Sequence, residues 1–260
     1  MLAKQRQAAI LDRVRAQGGA RVGELVAQFA VSDMTIRRDL NVLAAEGLLF
    51  KVHGGATLAM PSSVDEPGFA AKSSLQPDEK QMIAEAAASL VQPGTAIAIG
   101  AGTTTWALAR AIGSVPDLTV VTNSIPVADE LARGSGGATV ILTGGIRTPS
   151  DALVGPVADL TIRSLHFDTL FTGCHGMDPH AGLTAPNLAE SETNRCLIQA
   201  ARSVVLLADH TKWGNIGLSS FGQLSDVDAL VTDNDYPGTE LQQLSEVVGE
   251  VIRSGEAHDG

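Results

Sequence analysis

Apolar positions recur at two different periods along this chain, and the change from one to the other divides it. Lys4 to Gln17 carries Ala8, Ile10, Leu11 and Val14 at helical spacing and is stopped by Gly18-Gly19. Val22 to Gln28 is a short amphipathic helix (Val22, Leu25, Val26, then Phe29), and only Ala30 and Val31 separate it from a further helix beginning at Ser32. Ser32 is a good N-cap because its hydroxyl accepts from the free N–H groups of the first turn, and Asp33 suits the positive end of the helix dipole. At about 100° per residue, Ile36, Leu40 and Leu43 share one apolar stripe, while Met34, Arg38 and Asn41 point the opposite way and Thr35 and Arg37 lie on the flanks. The pattern is helix, tight turn, helix. Leu48 to Val52 is a strand-like run, and His53-Gly54-Gly55 reads as the turn of a β-wing.

From Leu58 to Lys80 periodicity gives way to Pro, Ser and charge (Pro61-Ser62-Ser63, Glu66-Pro67, Gln76-Pro77-Asp78), which reads as a linker. From Gln81 onward short apolar runs alternate with helical segments. The runs are Ala96 to Ile99, Leu118 to Val121, Thr139 to Leu142, Thr169 to Phe171, Val204 to Leu207 and Ala229 to Val231. The helical segments are Ile83 to Leu90, Trp106 to Ile112, Pro126 to Arg133, Val157 to Leu165, Leu188 to Ala201 and Leu241 to Val248. Strands alternating with helices of this length predict a parallel sheet. The fold class is therefore α/β: a winged helix-turn-helix over residues 1–57 with its helix-turn-helix at about 20–39, a linker over 58–80, and an open α/β domain over 81–260.

Charge sharpens this division. Residues 1–58 carry a net charge of +3 and the remainder −14, within an overall −11. A basic head on an acidic body fits a protein that presents only one end to DNA, since phosphates repel the rest. Two cysteines, Cys174 and Cys196, show neither a disulfide pattern nor metal-ligand spacing, so neither a metal nor a cofactor is expected. No apolar run approaches the roughly 20 residues of a membrane span, and the N-terminus lacks a signal peptide's apolar core, which predicts a cytosolic protein. Adjacent arginines also occur on ordinary solvated helices, but the wing after this one favours DNA. Ser32, Met34, Thr35, Arg37, Arg38, Asn41 and His53 are the candidate contacts to double-stranded operator DNA. One winged head buries too little surface for high specificity, so a homo-oligomer, dimer or tetramer, is expected.

In an open α/β sheet, ligands sit outside the carboxyl ends of strands. There the chain offers Gly100-Ala101-Gly102-Thr103-Thr104-Thr105 leading into a helix, Asn123, Gly144-Gly145, and Asp209 with Lys212. Glycines let backbone N–H groups approach an anion, threonine hydroxyls donate, and the helix N-terminus adds a favourable dipole. The loop is neither a Walker loop nor a dinucleotide fingerprint, and a ligand-free Gly-rich turn would look similar. Lys212 is the natural counter-charge to a phosphate. A competing reading is an enzyme of the sugar-phosphate isomerase kind, with Asp209, Glu190 and Lys212 as its acid-base set. Against it, Gly100-Ala101 supplies no side-chain acid or base, and an enzyme has no use for the head.

Arg6, Ile10, Val14, Ser32, Thr35, Ile36, Arg37, Arg38, Asp39 and Leu40 stand at the spacing of the N-terminal signature of the DeoR family, and Lys51-Val52-His53-Gly54-Gly55-Ala56 resembles its wing. The body is similar to the DeoR sensor domain at Lys80 to Ala87, Gly102-Thr103-Thr104, Thr122-Asn123-Ser124, Leu142 to Gly145, Gly182-Leu183-Thr184, Glu190 to Arg195 and Leu207 to Lys212. The resemblance implies a bacterial regulator, a repressor of a carbohydrate or polyol operon, whose sugar-phosphate-isomerase-like sensor domain binds a phosphorylated sugar or polyol. It also implies an ordered segment near Glu66-Pro67 and Phe69 packed on the body. Many family members have Asp-Ser where this chain has Gly100-Ala101, and Asp or Asn at His175, so the contacts to sugar hydroxyls differ here.

Overall fold

The computed structural model describes residues 2–52, 55–57, 68–236 and 238–255. It divides into two compact units, Met1–Pro61 and Ser62–Gly260. In the first, α1 (Ala3–Gln17), β1 (Gly19–Arg21), α2 (Val22–Phe29), α3 (Asp33–Ala45), β2 (Phe50–Val52) and β3 (Gly55–Thr57) follow in order. The stripes read from periodicity form its core: Ile10, Val14, Leu25, Ile36, Leu40 and Leu43 are all buried together. The tight turn between α2 and α3 passes through Ala30 in the left-handed conformation (φ 51°, ψ 43°), a cost of about 1 kcal/mol for a residue with a Cβ. The wing is an antiparallel sheet in the order β1-β3-β2, so Gly55, expected in the turn, already pairs with Val52 and Arg21. β1 was not expected; three residues are too few to show a period.

The second unit begins with two helices where a linker was expected, α4 (Phe69–Ser73) and α5 (Pro77–Ala88). Residues 69–80 are therefore not linker. Pro77 at the first position and Asp78 and Glu79 in the first turn start α5, six residues earlier than the apolar pattern alone suggested. α4 is fastened at both ends: Phe69 N–H donates to the Pro149 carbonyl (3.2 Å), its ring meets Trp106 edge-on at 5.8 Å, and Lys72 Nζ donates to Ser150 Oγ at 2.6 Å.

Beyond α5 come β4 (Ala96–Ile99), α6 (Thr103–Ala111), β5 (Thr119–Thr122), α7 (Ile125–Arg133), β6 (Thr139–Leu142), the hairpin β7 (Ile146–Arg147) and β8 (Leu153–Val154), and α8 (Pro156–Arg163). Next are β9 (Phe167–Thr172), β10 (Gly176–Asp178), β11 (Gly182–Ala185), α9 (Leu188–Ala200), β12 (Ala201–Leu207), β13 (Ser219–Gly222), β14 (Ala229–Thr232), α10 (Gly238–Ser245) and β15 (Glu250–Arg253). Seven of these strands form one parallel sheet in the order β15-β14-β12-β9-β4-β5-β6. One face packs Ile97, Ile99, Phe171, Leu207 and Val231 against α5, α6 and α7; the other packs Val121 and Leu170 against Ile162 of α8 and Leu197 of α9. Burial on both faces explains why the strands read as continuous apolar runs rather than alternations. The chain enters the sheet at β4, runs outward through β5 and β6, then returns to β9 and runs outward the other way. The strand order thus reverses between β4 and β9. No described helix is long and apolar enough to cross a membrane.

Candidate DNA face and effector crevice

Two regions concentrate the chemistry. On α3, Ser32, Met34, Arg37, Arg38 and Asn41 are exposed and Thr35 half-buried, while Ile36 and Leu40 are fully inside. Ser32 caps the helix as read from the sequence, accepting from Thr35 N–H at 3.2 Å, and the two hydroxyls bond each other at 2.8 Å. The two arginines differ. Arg37 donates through Nε and, at 3.3 Å, through a terminal nitrogen to both oxygens of Asp33 one turn back. Arg38 makes no hydrogen bond or ion pair among the described residues. His53 lies outside the described residues.

The difference carries a prediction. For Arg37 to reach DNA it must exchange its solvent-exposed helix pair with Asp33, and Asp33 offsets its charge where it stands. Arg38 has nothing to exchange. Arg38→Ala is expected to weaken operator binding by about 1–3 kcal/mol and Arg37→Ala by less, as read by fluorescence anisotropy across a salt series. A larger loss at Arg37, or no loss at either, contradicts this reading of the face.

In the second unit, the point where strand order reverses, between β4 and β9, is where an open sheet forms a crevice at its carboxyl edge. The Gly100–Thr105 loop leaves β4 there. Gly100 N–H donates to the Phe171 carbonyl at 2.8 Å, and a Cβ at Gly100 would come within 2.9 Å of Thr172 Oγ1, so only glycine lets the β4 and β9 ends close together. Asn123, at the end of β5, is buried with both ends of its amide bonded to the scaffold: Oδ1 accepts from Ala101 N–H (3.0 Å) and Nδ2 donates to the Leu153 carbonyl (3.2 Å). Its side chain shapes the loop. Thr105 is fully buried with its hydroxyl on the Gly102 carbonyl (3.0 Å), so it supports the turn from beneath, contrary to the expectation of a ligand contact.

What remains open to a ligand is narrower than the sequence suggested. The N–H groups of Thr103, Thr104 and Thr105 open the first turn of α6, where no helical carbonyl precedes them. The hydroxyls of Thr103 and Thr104 have no partner among the described residues. Gly144 and Gly145 take left-handed values (φ 72° and 118°) beside β8; a Cβ at Gly145 would meet the Val154 carbonyl at 2.6 Å.

Asp209 is buried and caps the short 3-10 turn His210–Lys212, accepting from the N–H of Thr211 at 3.0 Å and from its hydroxyl. Lys212, half-buried, makes no hydrogen bond or ion pair through its ammonium among the described residues. Sequence reasoning missed Lys80. It is buried on α5, with Nζ donating to the Lys72 carbonyl at 2.6 Å and to the Leu75 carbonyl. Burial, then the neighbouring positive charge of Lys212, pushes its pKa down to about 8, with Asp209 opposing. Lys80, Lys212 and Asp209 therefore feel one another's charge. Cys174, after β9, stays a thiol, since burial raises its pKa more than Lys212 lowers it. Among the described residues no group of three or more His, Cys, Asp or Glu side chains could hold a metal ion.

Both regions have counterparts in known proteins. Residues 6–62 match the DeoR-like helix-turn-helix domain and residues 75–234 the DeoR C terminal sensor domain. The chain belongs to the DeoR family of transcriptional regulators. It is 34% identical over 242 residues to the glycerol-3-phosphate regulon repressor of Escherichia coli (strain K12), covering 93% of this chain and 95% of that one. It is also 34% identical over 252 residues to the lactose phosphotransferase system repressor of Streptococcus mutans serotype c, covering 95% and 100%. The solved ribose 5-phosphate isomerase A of Methanocaldococcus jannaschii overlaps 54% of this chain and 55% of that one at 16% identity and a TM-score of 0.40, too loose an overlap to carry an argument. These relatives are regulators, and the DeoR member described here is a DNA-binding regulator rather than an enzyme. The acid-base role weighed for Asp209, Glu190 and Lys212 falls with the enzyme reading.

Proposed function

We propose that this DeoR-family protein is a cytosolic repressor of a carbohydrate or polyol catabolic operon. In this reading residues 1–57 bind double-stranded operator DNA through Met34, Arg38 and the neighbouring polar residues of α3, and two or four copies act together. The body, from α4 onward, binds a phosphorylated sugar or polyol in the crevice at the β4/β9 reversal. The effector half rests on unused donors at the carboxyl ends of strands of one parallel sheet: the α6 first turn and the Thr103 and Thr104 hydroxyls after β4, and the Lys212 ammonium after β12, with Lys80 in charge reach of Lys212. A phosphate held there would supply acceptors to these donors and charge to the ammonium. The names of its relatives, a glycerol-3-phosphate regulon repressor and a sugar phosphotransferase system repressor, support the same chemistry.

A thermal-shift series tests it. Phosphorylated sugars and polyols are expected to raise the melting temperature and their unphosphorylated parents not to; equal stabilisation by both removes the phosphate from the reading. The pH dependence gives a second check. Lys80 is depressed to about 8, so in the free protein it is charged at pH 7 and largely neutral at pH 9. A phosphate dianion favours its charged form, so binding above pH 8 must take up a proton and weaken. The ligand-induced shift is therefore expected to shrink between pH 7 and 9, and to stop doing so in Lys80→Met.

A further inference from the structure

The outer edge of β6 and the surface beside it are out of keeping with the rest of the acidic body. Among the described residues β6 bonds only to β5, so its other edge ends the sheet there, and its four residues Thr139-Val140-Ile141-Leu142 include no charge or proline. The opposite edge strand, β15, is flanked by Glu250 and Arg253, a common protection against pairing with other chains. Next to β6, Leu142 is 44% exposed, Ile146 69%, Val157 61% and Leu160 70%. These side chains are neighbours: a Cβ on Gly144 would lie 3.4 Å from Val157 Cγ1, a Cβ on Gly155 3.9 Å from Ile146 Cδ1, and Leu160 follows Val157 by one turn of α8.

We propose that this face, centred on Ile146, Val157 and Leu160 beside the β6 edge, is where two copies of the chain meet. Charge selects the partner. The residues after 58 carry −14, so two bodies repel one another over most of their surface. On this face the flanking groups add no net negative charge: Arg147 pairs with Asp151, and Glu192 is shared by Arg163 and Arg195. A basic partner would find its complement elsewhere on the body; an apolar patch that escapes the body's repulsion suits a copy of itself, which an isologous interface requires. The area fits as well. Four side chains at these exposures present on the order of 400 Å² of apolar surface, the core of an interface that needs about 800 Å² from each partner.

The inference takes its choice of partner from the multi-headed reading of the protein, and the experiment separates the two. Sedimentation equilibrium of the full chain between 0.1 and 50 µM is expected to show self-association that changes little between 0.1 and 0.5 M salt. Ile146→Glu with Leu160→Glu is expected to raise the dissociation constant at least 100-fold, because each substitution enters a two-fold interface twice. Val247→Glu, another exposed apolar position, after α10 and next to the opposite edge strand, is expected to leave it unchanged. All three side chains are exposed, so far-UV circular dichroism should stay that of the wild type; should the charged pair not fold, Ile146→Ser with Leu160→Ser reads the same ratio. Self-association untouched by these substitutions overturns the face while leaving the multi-headed reading standing. A wild-type monomer at 50 µM overturns both.

Discussion

Asp39→Ala is expected to destabilise the DNA-binding head by about 3–5 kcal/mol while leaving the body's unfolding unchanged. Asp39 is almost fully buried; Oδ2 accepts from Arg6 Nε at 2.6 Å and Oδ1 from Gln7 Nε2 at 3.0 Å, so one carboxylate ties the first helix to the recognition helix. Removing it strands a buried guanidinium, whose desolvation is no longer offset. A unit of about 60 residues has a total stability of only about 3–9 kcal/mol, so this loss takes most of it. Operator binding is expected to disappear with it even though Asp39 faces away from the exposed side of α3. The double replacement Arg6→Met with Asp39→Leu is expected to recover much of the loss, because a buried pair exchanged for apolar groups is close to neutral. Hydrogen exchange over residues 3–45 measures the effect; a loss under 1 kcal/mol in Asp39→Ala would show that the pair does not hold the head together.

That pair also marks how far the sequence could be read. Asp39 sits three residues after Ile36 and four before Leu43, on the apolar stripe of α3, and Lys80 sits three and four residues before Ile83 and Ala84 on the stripe of α5. A charge on a buried stripe must have a partner, and that signal was present at both positions. What periodicity could not supply was the partner, which comes from another element. The same distinction explains the sheets. The central parallel strands are buried on both faces and stood out as apolar runs, whereas β10, β11 and β13 are short and rich in glycine and polar residues, and β13 joins the β10-β11 hairpin only through non-local pairing. β15 was hidden by its charged ends. At the crevice, residue type could not tell a supporting donor from a free one: Thr105 and Asn123 both hydrogen-bond to the scaffold.

Gly102→Val is expected to abolish the effector response, shifting the half-maximal concentration by more than 100-fold, with operator affinity unchanged. Gly102 is the N-cap of α6 in an extended conformation (φ 162°, ψ 161°) open to any residue, so glycine is not needed there for the backbone. A Cβ meets only the Thr105 hydroxyl, at 3.1 Å, and that group can give by a few tenths of an ångström. The cost to folding is therefore small, about 1 kcal/mol or less. The cost to binding is large, because a branched side chain beside the first-turn N–H groups occupies the space through which an anion reaches them. Lys212→Ala acts on the same ligand through charge. One charge-assisted hydrogen bond is worth about 1.5–3 kcal/mol, which is ten-fold or more in affinity. In the proposed site both residues face one ligand, so the double variant is expected to be no worse than Gly102→Val alone. Isothermal titration with a sugar phosphate and anisotropy with operator DNA separate the outcomes. In cells these variants would stay on the operator in the presence of the inducer. Normal effector affinity in Gly102→Val would mean that the loop is only a turn, and loss of operator binding in either variant would mean that head and body do not act as separate units.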